Sequence, residues 1–180
     1  MTRRLGFRHC DPRFAFLWAG AAQPAARWHG EGEGPANYFA DTPAGAWAEF
    51  LRHEGIAAEA DLAGVQRSLW AVELPEDGYA QPALPAAVTS GGLSSYAACQ
   101  DEARRLRAAG HDRLEAPAAA LLPGAARGWV ARAAGIAPAR TARDGIVWVL
   151  YGVRELTGWV AVDAGAPPAA VLPLVRPLQP

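Results

Sequence analysis

Three side chains in one short stretch of the sequence have the chemistry to act on an anionic substrate. Arg27, Tyr38 and Glu49 follow one another around a loop rich in glycine and proline. A guanidinium binds phosphate oxygens with paired hydrogen bonds, an aromatic ring stacks on a planar ligand, and a carboxylate stabilises developing positive charge. The set therefore suits a phosphorylated substrate that carries an aromatic ring and reacts through a cationic transition state.

An ordinary alternative explains the same residues without any site. In it, Arg27 lies on the surface, Tyr38 belongs to the core, and Glu49 is a solvated helical residue paired with His53, four positions later. Spacing alone favours this alternative.

Other familiar chemistries lack their patterns in the sequence. The four histidines share no ligand spacing and neither cysteine has a near partner, so we predict no metal site. No serine stands in a G-x-S-x-G motif, and Ser94 and Ser95 are better interpreted as helix caps. The glycine run at 30–34 lacks the GK[ST] of a phosphate loop and carries two glutamates instead.

The composition predicts a single globular domain spanning 1–180. The chain has 180 residues, 51% of them hydrophobic, and a net charge of −1. All 17 basic residues are arginine, and they are scattered rather than arranged in a stripe, which argues against direct nucleic-acid binding. No apolar run approaches the roughly 18 residues of a membrane helix, and no apolar segment follows the first arginines as in a signal peptide. We therefore expect a cytoplasmic protein in which Cys10 and Cys99 are buried free thiols, although one disulfide remains an alternative.

Two helices carry clear start and stop signals. The first is predicted over about Pro43–Glu54, with Asp41 or Thr42 as its cap and Gly55 as its stop. The second is predicted from about Ser94 to Ala109, stopped by Gly110.

Strand candidates outnumber the helices and surround them. We expect a short strand and turn within 5–18, an apolar step at 37–40, and strands at 65–74, 113–122, 146–151 and 171–178. The pattern predicts an α+β domain, with a mixed or antiparallel sheet and flanking helices.

The stretch from Ala26 to Ile56 resembles the signature region of the RES domain family. Members typically have Gly-Gly-Arg-Trp-Asn, a Gly/Pro loop, an apolar–Tyr step and a helix with Ala-x-x-Glu-x-x-x-His. The residues of this chain that match that pattern, in order, are Arg27, Trp28, Tyr38, Glu49 and His53. The opening FRHCDPRFAFLW, the segment from Cys99 to Gly124 and the closing IVWVLYG and VLPLVRPL are also similar to the family.

The chain departs from the family pattern at three places. The family serine falls at Ala118, within the triplet Pro117-Ala118-Ala119. The Gly-Gly pair before the arginine is Ala25-Ala26, and the Asn after the tryptophan is His29. The first change removes a hydroxyl expected to help hold the substrate, and the second stiffens the loop that presents Arg27.

The resemblance implies a fold like that of ADP-ribosyltransferases and a toxin of a type II toxin–antitoxin pair. Such toxins consume NAD, as substrate rather than cofactor, by phosphorolysis, hydrolysis or ADP-ribosyl transfer. Arg27, Tyr38 and Glu49 would then be catalytic residues, and Trp28, His53 and position 118 would contact the substrate. The implied partner is a helix-turn-helix antitoxin encoded nearby, and a homodimer remains open. Ala118 leaves a second reading, a silent binding or regulatory module.

Overall fold

A six-stranded antiparallel sheet organises the computed structural model, which describes residues 4–20, 22–133, 135–139 and 141–179. Its strands, in spatial order, are β4 (Arg113–Pro117), β7 (Ile146–Tyr151), β2 (Ala36–Ala40), β1 (Arg4–Cys10), β3 (Arg67–Leu74) and β8 (Gly158–Gly165). A separate hairpin pairs β5 (Trp129–Arg132) with β6 (Gly135–Pro138). The predicted α+β class is confirmed, and the sheet is antiparallel.

The two central strands β1 and β2 diverge. Among the described residues they share one register pair, Phe7 with Ala40, whereas β1 pairs with β3 along its whole length. Beyond Phe7, the buried amide of Asn37 occupies the widening gap. It accepts hydrogen bonds from the Arg8 guanidinium (3.0 Å) and the Trp18 backbone N–H (2.8 Å).

The helix α1 (Pro43–His53) begins and ends as its sequence predicts. The Thr42 hydroxyl accepts a hydrogen bond from the Gly45 N–H at 3.0 Å and caps the first turn. Gly55 adopts a φ of +66°, and the N–H of Ile56 donates back to the Leu51 carbonyl at 2.9 Å, which closes the helix in a Schellman motif.

The second long helix, α3 (Tyr96–Ala108), ends in the same way at Gly110. It follows a short helix α2 (Ala86–Thr89) and a 3₁₀ turn, Leu93–Ser95. Ser95 stands at the N-cap position of α3, as predicted, although its hydroxyl makes no capping hydrogen bond. That hydroxyl contacts Arg27 instead.

The core lies on both faces of the sheet. On one face α1 packs through Trp47 and Leu51 in one cluster, and α3 packs through Cys99 and Leu106 in another. On the other face Phe39, Val72, Leu74, Trp148 and Leu150 form a third cluster. Both cysteines are buried free thiols, as predicted.

Several strand boundaries differ from the prediction. Residues 171–178, expected as a closing strand, instead contain most of a 3₁₀ turn, Ala169–Leu174, with Pro173 inside it. The strand expected at 113–122 ends at Pro117, where the chain bends over the core. The edge strand β8 and the β5–β6 hairpin were not predicted.

In the described part of the chain, no helix has the length and apolar character to cross a membrane.

Candidate anion-binding cavity

A cavity of about 770 Å³ lies at the divergence of β1 and β2. Residues of both strands line it, together with the loop after β1, the cavity-facing side of α1 and the start of α3. Arg27, Tyr38 and Glu49, predicted to meet in one cleft, all line this cavity, as do Trp28 and His53. This volume is within the range of small-molecule sites.

The helix α1 presents Glu49 and His53 to the cavity one turn apart. The Glu49 side chain is about 29% exposed, and its Oε2 lies 3.6 Å from Nε2 of His53, too far for a good hydrogen bond. The carboxylate is therefore accessible to a ligand. The residue most open to solvent in this pair is His53, with 47% of its side chain exposed.

Tyr38 is fixed through its hydroxyl and presents its ring. The hydroxyl accepts a hydrogen bond from the Trp28 N–H at 3.0 Å and lies 2.8 Å from Nδ1 of His29. Because Nε2 of His29 is 2.9 Å from the Pro24 carbonyl, Nε2 carries the proton and Nδ1 accepts from the phenol. Burial lowers the pKa of His29 and raises the pKa of Tyr38 well above its usual value, so both groups stay neutral.

Arg27 is held by carbonyls and a hydroxyl rather than by a carboxylate. Its side chain is buried, and Nη2 donates to the Gly91 carbonyl at 2.6 Å, while Nη1 donates to the Ser95 hydroxyl at 2.9 Å. The guanidinium carbon lies 4.7 Å from the centre of the Tyr96 ring, a cation–π contact. These contacts fix the orientation of the cation without neutralising its charge.

A second guanidinium, that of Arg52, meets Arg27 at the same carbonyl. Its Nη2 donates to Gly91 at 2.9 Å and its Nη1 donates to the Ala119 carbonyl. Arg52 is only 5% exposed, and its buried Nε has no hydrogen-bond partner in the part of the chain that the structure describes. Sequence reasoning missed Arg52, although it stands three residues after Glu49 on the same helix.

The backbone around Gly91 leaves no room for a side chain. A Cβ at this position would lie 2.8 Å from the Ala87 carbonyl and 3.1 Å from the Ser95 Cβ. Because residue 91 is a glycine, the turn at this position packs closely enough for its carbonyl to accept hydrogen bonds from both guanidiniums.

Four arginines line the cavity, and the structure gives none of them an ion pair within the described residues. They are Arg8, Arg27, Arg52 and Arg67. Glu49 and Asp11 are the carboxylates among the lining residues, and Asp11 is engaged by Arg13. The cavity is therefore strongly cationic and suits a ligand with more than one negative charge. No cluster of three or more histidine, cysteine or acidic side chains in the described part of the chain could hold a metal ion.

The sequence profile of the RES domain family matches residues 3–145 of the 180. The chain belongs to the RES domain family. No curated protein and no solved structure matches it significantly. The matched range contains the four arginines that line the cavity, Tyr38, Tyr96 and Glu49, so the cavity is formed largely by the RES domain itself.

Trp28 and Ala118, both predicted to contact the substrate of this RES domain, are buried, and of the two only Trp28 lines the cavity. Trp28 is 1% exposed and packs in the α3 cluster, where its carbonyl accepts a hydrogen bond from the Tyr151 hydroxyl at 3.0 Å. Ala118, at the position of the family serine, is buried in the α1 cluster, whereas its neighbours Pro117 and Ala119 line the cavity. A Cβ placed on Gly145 would lie 2.9 Å from the Ala118 Cβ, so Ala118 packs closely on that backbone.

Proposed function

We propose that this RES domain protein binds NAD in the cavity and cleaves the bond between nicotinamide and ribose. The observation that carries the proposal is the combination in one cavity of four arginines without carboxylate partners among the described residues, an accessible carboxylate and fixed aromatic rings. NAD has the matching parts, namely a pyrophosphate, a positively charged aromatic ring and a ribose that becomes an oxocarbenium ion when the ring leaves.

Each residue has a role in this proposal. Arg27, supported by Arg52, binds phosphate oxygens of NAD or of an incoming phosphate. Glu49 stabilises the positive charge on the ribose or orients the acceptor, since its carboxylate is exposed to the cavity. Tyr38 stacks through its ring, because its hydroxyl is occupied by Trp28 and His29. His53 lines the cavity one turn from Glu49 and would contact the substrate there.

Two finer statements belong to the same proposal. The fold is related to that of ADP-ribosyltransferases, with the substrate between diverging strands. The biological role is that of a toxin restrained by a helix-turn-helix antitoxin, and water, phosphate or a protein side chain receives the ADP-ribosyl group.

The test is nicotinamide release from NAD by the purified protein, with and without added phosphate, combined with calorimetric binding of NAD. We expect release in at least one condition, and we expect expression to stop growth and deplete cellular NAD. If the protein binds NAD without consuming it, the silent-module reading replaces the enzyme. If it neither binds nor consumes NAD, the proposal fails.

The silent-module reading rests on Ala118. Losing one hydrogen bond to a charged group costs about 1.5–3 kcal/mol, or roughly ten- to a hundredfold in rate, which weakens an enzyme without abolishing its activity. Ala118→Ser should therefore raise NAD turnover about tenfold if the hydroxyl reaches the substrate from the buried position of Ala118. Because Ala119 lines the cavity, Ala119→Ser tests the neighbouring position, and a gain there alone would assign the missing hydroxyl to 119. Equal turnover in Ala118→Ser and the unmodified protein would show that no serine is needed at 118.

A further inference from the structure

The part of the cavity wall formed by β1 and β3 contains an imidazole that no step above uses. His9 lies on β1 and lines the cavity, and its Nδ1 is 3.1 Å from Nη2 of Arg67 on β3. Its ring packs edge-on against Phe50, with 5.3 Å between the ring centres. The Arg67 guanidinium lies over the same Phe50 ring at 5.2 Å. The two side chains therefore form one packed unit.

The contact with Arg67 determines which nitrogen of His9 carries the proton. A guanidinium can only donate hydrogen bonds, so Nδ1 must accept, and the proton of the neutral ring is on Nε2. No described residue accepts a hydrogen bond from this Nε2–H, and His9 is a partly exposed residue that lines the cavity. It is therefore an available donor in the cavity wall.

The charge at this wall remains uncompensated. Among the described residues, Arg67 forms no ion pair, and its Nε is buried without a hydrogen-bond partner. Burial, together with the charges of Arg67 and Arg8, lowers the pKa of His9 to about 3, so the imidazole is a neutral donor at physiological pH. A neutral N–H can donate a hydrogen bond to a phosphoryl oxygen without adding a third positive charge beside Arg67 and Arg8.

We propose that His9 and Arg67 form a phosphoryl-binding subsite, separate from the Arg27–Arg52 pair, in which His9 donates through Nε2–H and Arg67 supplies the charge. The inference rests on the proposed function only in that the cavity takes a phosphorylated ligand, and it does not depend on cleavage. Two sources could supply the phosphoryl group, namely a phosphate of the dinucleotide or free inorganic phosphate.

Two substitutions separate the contacts of the imidazole. Asparagine reproduces the Nδ1 position and can still accept from Arg67, but it has no atom at the position of Nε2. Glutamine reaches that position and can donate there. We expect His9→Asn to weaken ADP-ribose binding about tenfold or more, which is the range for a lost hydrogen bond to a charged group, and His9→Gln to recover most of the affinity. Arg67→Gln should weaken binding at least as much as His9→Asn.

The experiment is calorimetry with ADP-ribose, inorganic phosphate and nicotinamide riboside, on the full chain and these variants. Arg127→Gln is the control, because Arg127 is exposed and outside the cavity lining. Nitrogen NMR of labelled histidines supplies a readout independent of affinity, with the His9 Nε2–H signal expected to shift on addition of ADP-ribose. The affinity for nicotinamide riboside, which lacks a phosphate, should be the same in all variants.

The outcomes separate this inference from the proposed function. Weaker binding of ADP-ribose alone in His9→Asn assigns the subsite to a dinucleotide phosphate, and weaker binding of inorganic phosphate as well assigns it to either source. If the unmodified protein binds ADP-ribose but His9→Asn binds it equally well, or the Nε2 signal does not move, the subsite is refuted, whatever the activity. Failure of the unmodified protein to bind either phosphorylated probe also refutes it. Binding that responds to His9 without nicotinamide release supports the subsite and refutes the cleavage.

Discussion

The arginines on α3 form ion pairs with carboxylates, whereas the arginines in the cavity do not. On α3, Arg104 lies 2.8 Å from Glu33 and Arg105 lies 2.7 Å from Glu102. Hydrogen bonds from Arg105 lower the pKa of Glu102 to about 2. In the cavity, Arg27 and Arg52 donate instead to carbonyl oxygens, which orient a cation but leave its charge available.

The difference indicates which arginines are available for a ligand. Exposed ion pairs contribute little to stability, about 0–1 kcal/mol each, and they neutralise both partners. Buried cations without a counter-charge are costly in the empty protein, because desolvation is not offset by an opposite charge. A bound anion would supply that counter-charge, and the following predictions test this contrast.

The largest effect should come from Glu49, the accessible carboxylate among the cavity cations. Glu49→Gln keeps the shape of the side chain and removes its charge. If the carboxylate acts on an oxocarbenium ion, NAD turnover should fall about a hundredfold or more while NAD affinity changes little. If Glu49 were merely a counter-ion of the arginines, its neutralisation would tighten anion binding and spare turnover. Nicotinamide release and calorimetry on the same preparations distinguish the two.

A smaller effect should follow loss of a cavity arginine, and none from loss of a paired one. Arg27→Gln removes a cation that contacts phosphate in the proposal, so NAD affinity should fall about ten- to a hundredfold, together with turnover. The matched substitution Arg105→Gln removes a paired arginine on α3 and should leave affinity unchanged. Calorimetric titration of both variants with NAD is the measurement. Equal losses in the two would remove the distinction between paired and unpaired arginines.

The smallest effect concerns stability in acid. The pKa of His9 is lowered to about 3 by burial and by the charges of Arg67, Arg8 and His53, so the unfolded chain takes up a proton below about pH 6.5 while the folded protein does not. The contribution of the neutral His9 to the free energy of unfolding is therefore complete above pH 6.5, and it is lost as the pH falls from 6.5 towards 3. Each such histidine steepens the loss by about 1.4 kcal/mol per pH unit.

His9→Asn should therefore lose less stability than the unmodified protein when the pH is lowered from 7 to 5. Urea denaturation at the two pH values measures the difference. His29, whose pKa burial also lowers, remains in both proteins and cancels in the comparison. Parallel losses in the two proteins would mean that His9 is not held neutral.

The sequence predicted the elements whose signals are local. Residues 146–151 form a continuous apolar run and are the buried strand β7, and Gly55 and Gly110 mark the two helix ends. The edge strand β8 was missed because most of its residues are exposed, so they show no alternation of buried and exposed side chains. The strand predicted over 171–178 was wrong because Pro173 lies within a 3₁₀ turn there.

The site was predictable only in part. The resemblance pointed to Arg27, Tyr38 and Glu49, which the structure brings to one cavity, although their roles remain predictions. Arg52, Arg67 and His9 gave no signal, because whether an arginine has a carboxylate neighbour depends on contacts between distant elements. The Arg67–His9 contact, for example, joins residues 58 positions apart.

The Gly91 turn also determines when the cavity can form. Its neighbour Leu93 donates to the carbonyl of Gln179, and Arg176 donates to the Ser90 carbonyl, so residues near the end of the described chain support the turn that holds two cavity arginines. The central strand β2 likewise cannot complete its pairing until β7 is present, since Ala36 pairs with Tyr151. Such distant pairings form slowly, because the entropy of closing a long loop is lost before the contacts stabilise the chain. A chain emerging from the ribosome would therefore expose its signature segment long before the cavity could form.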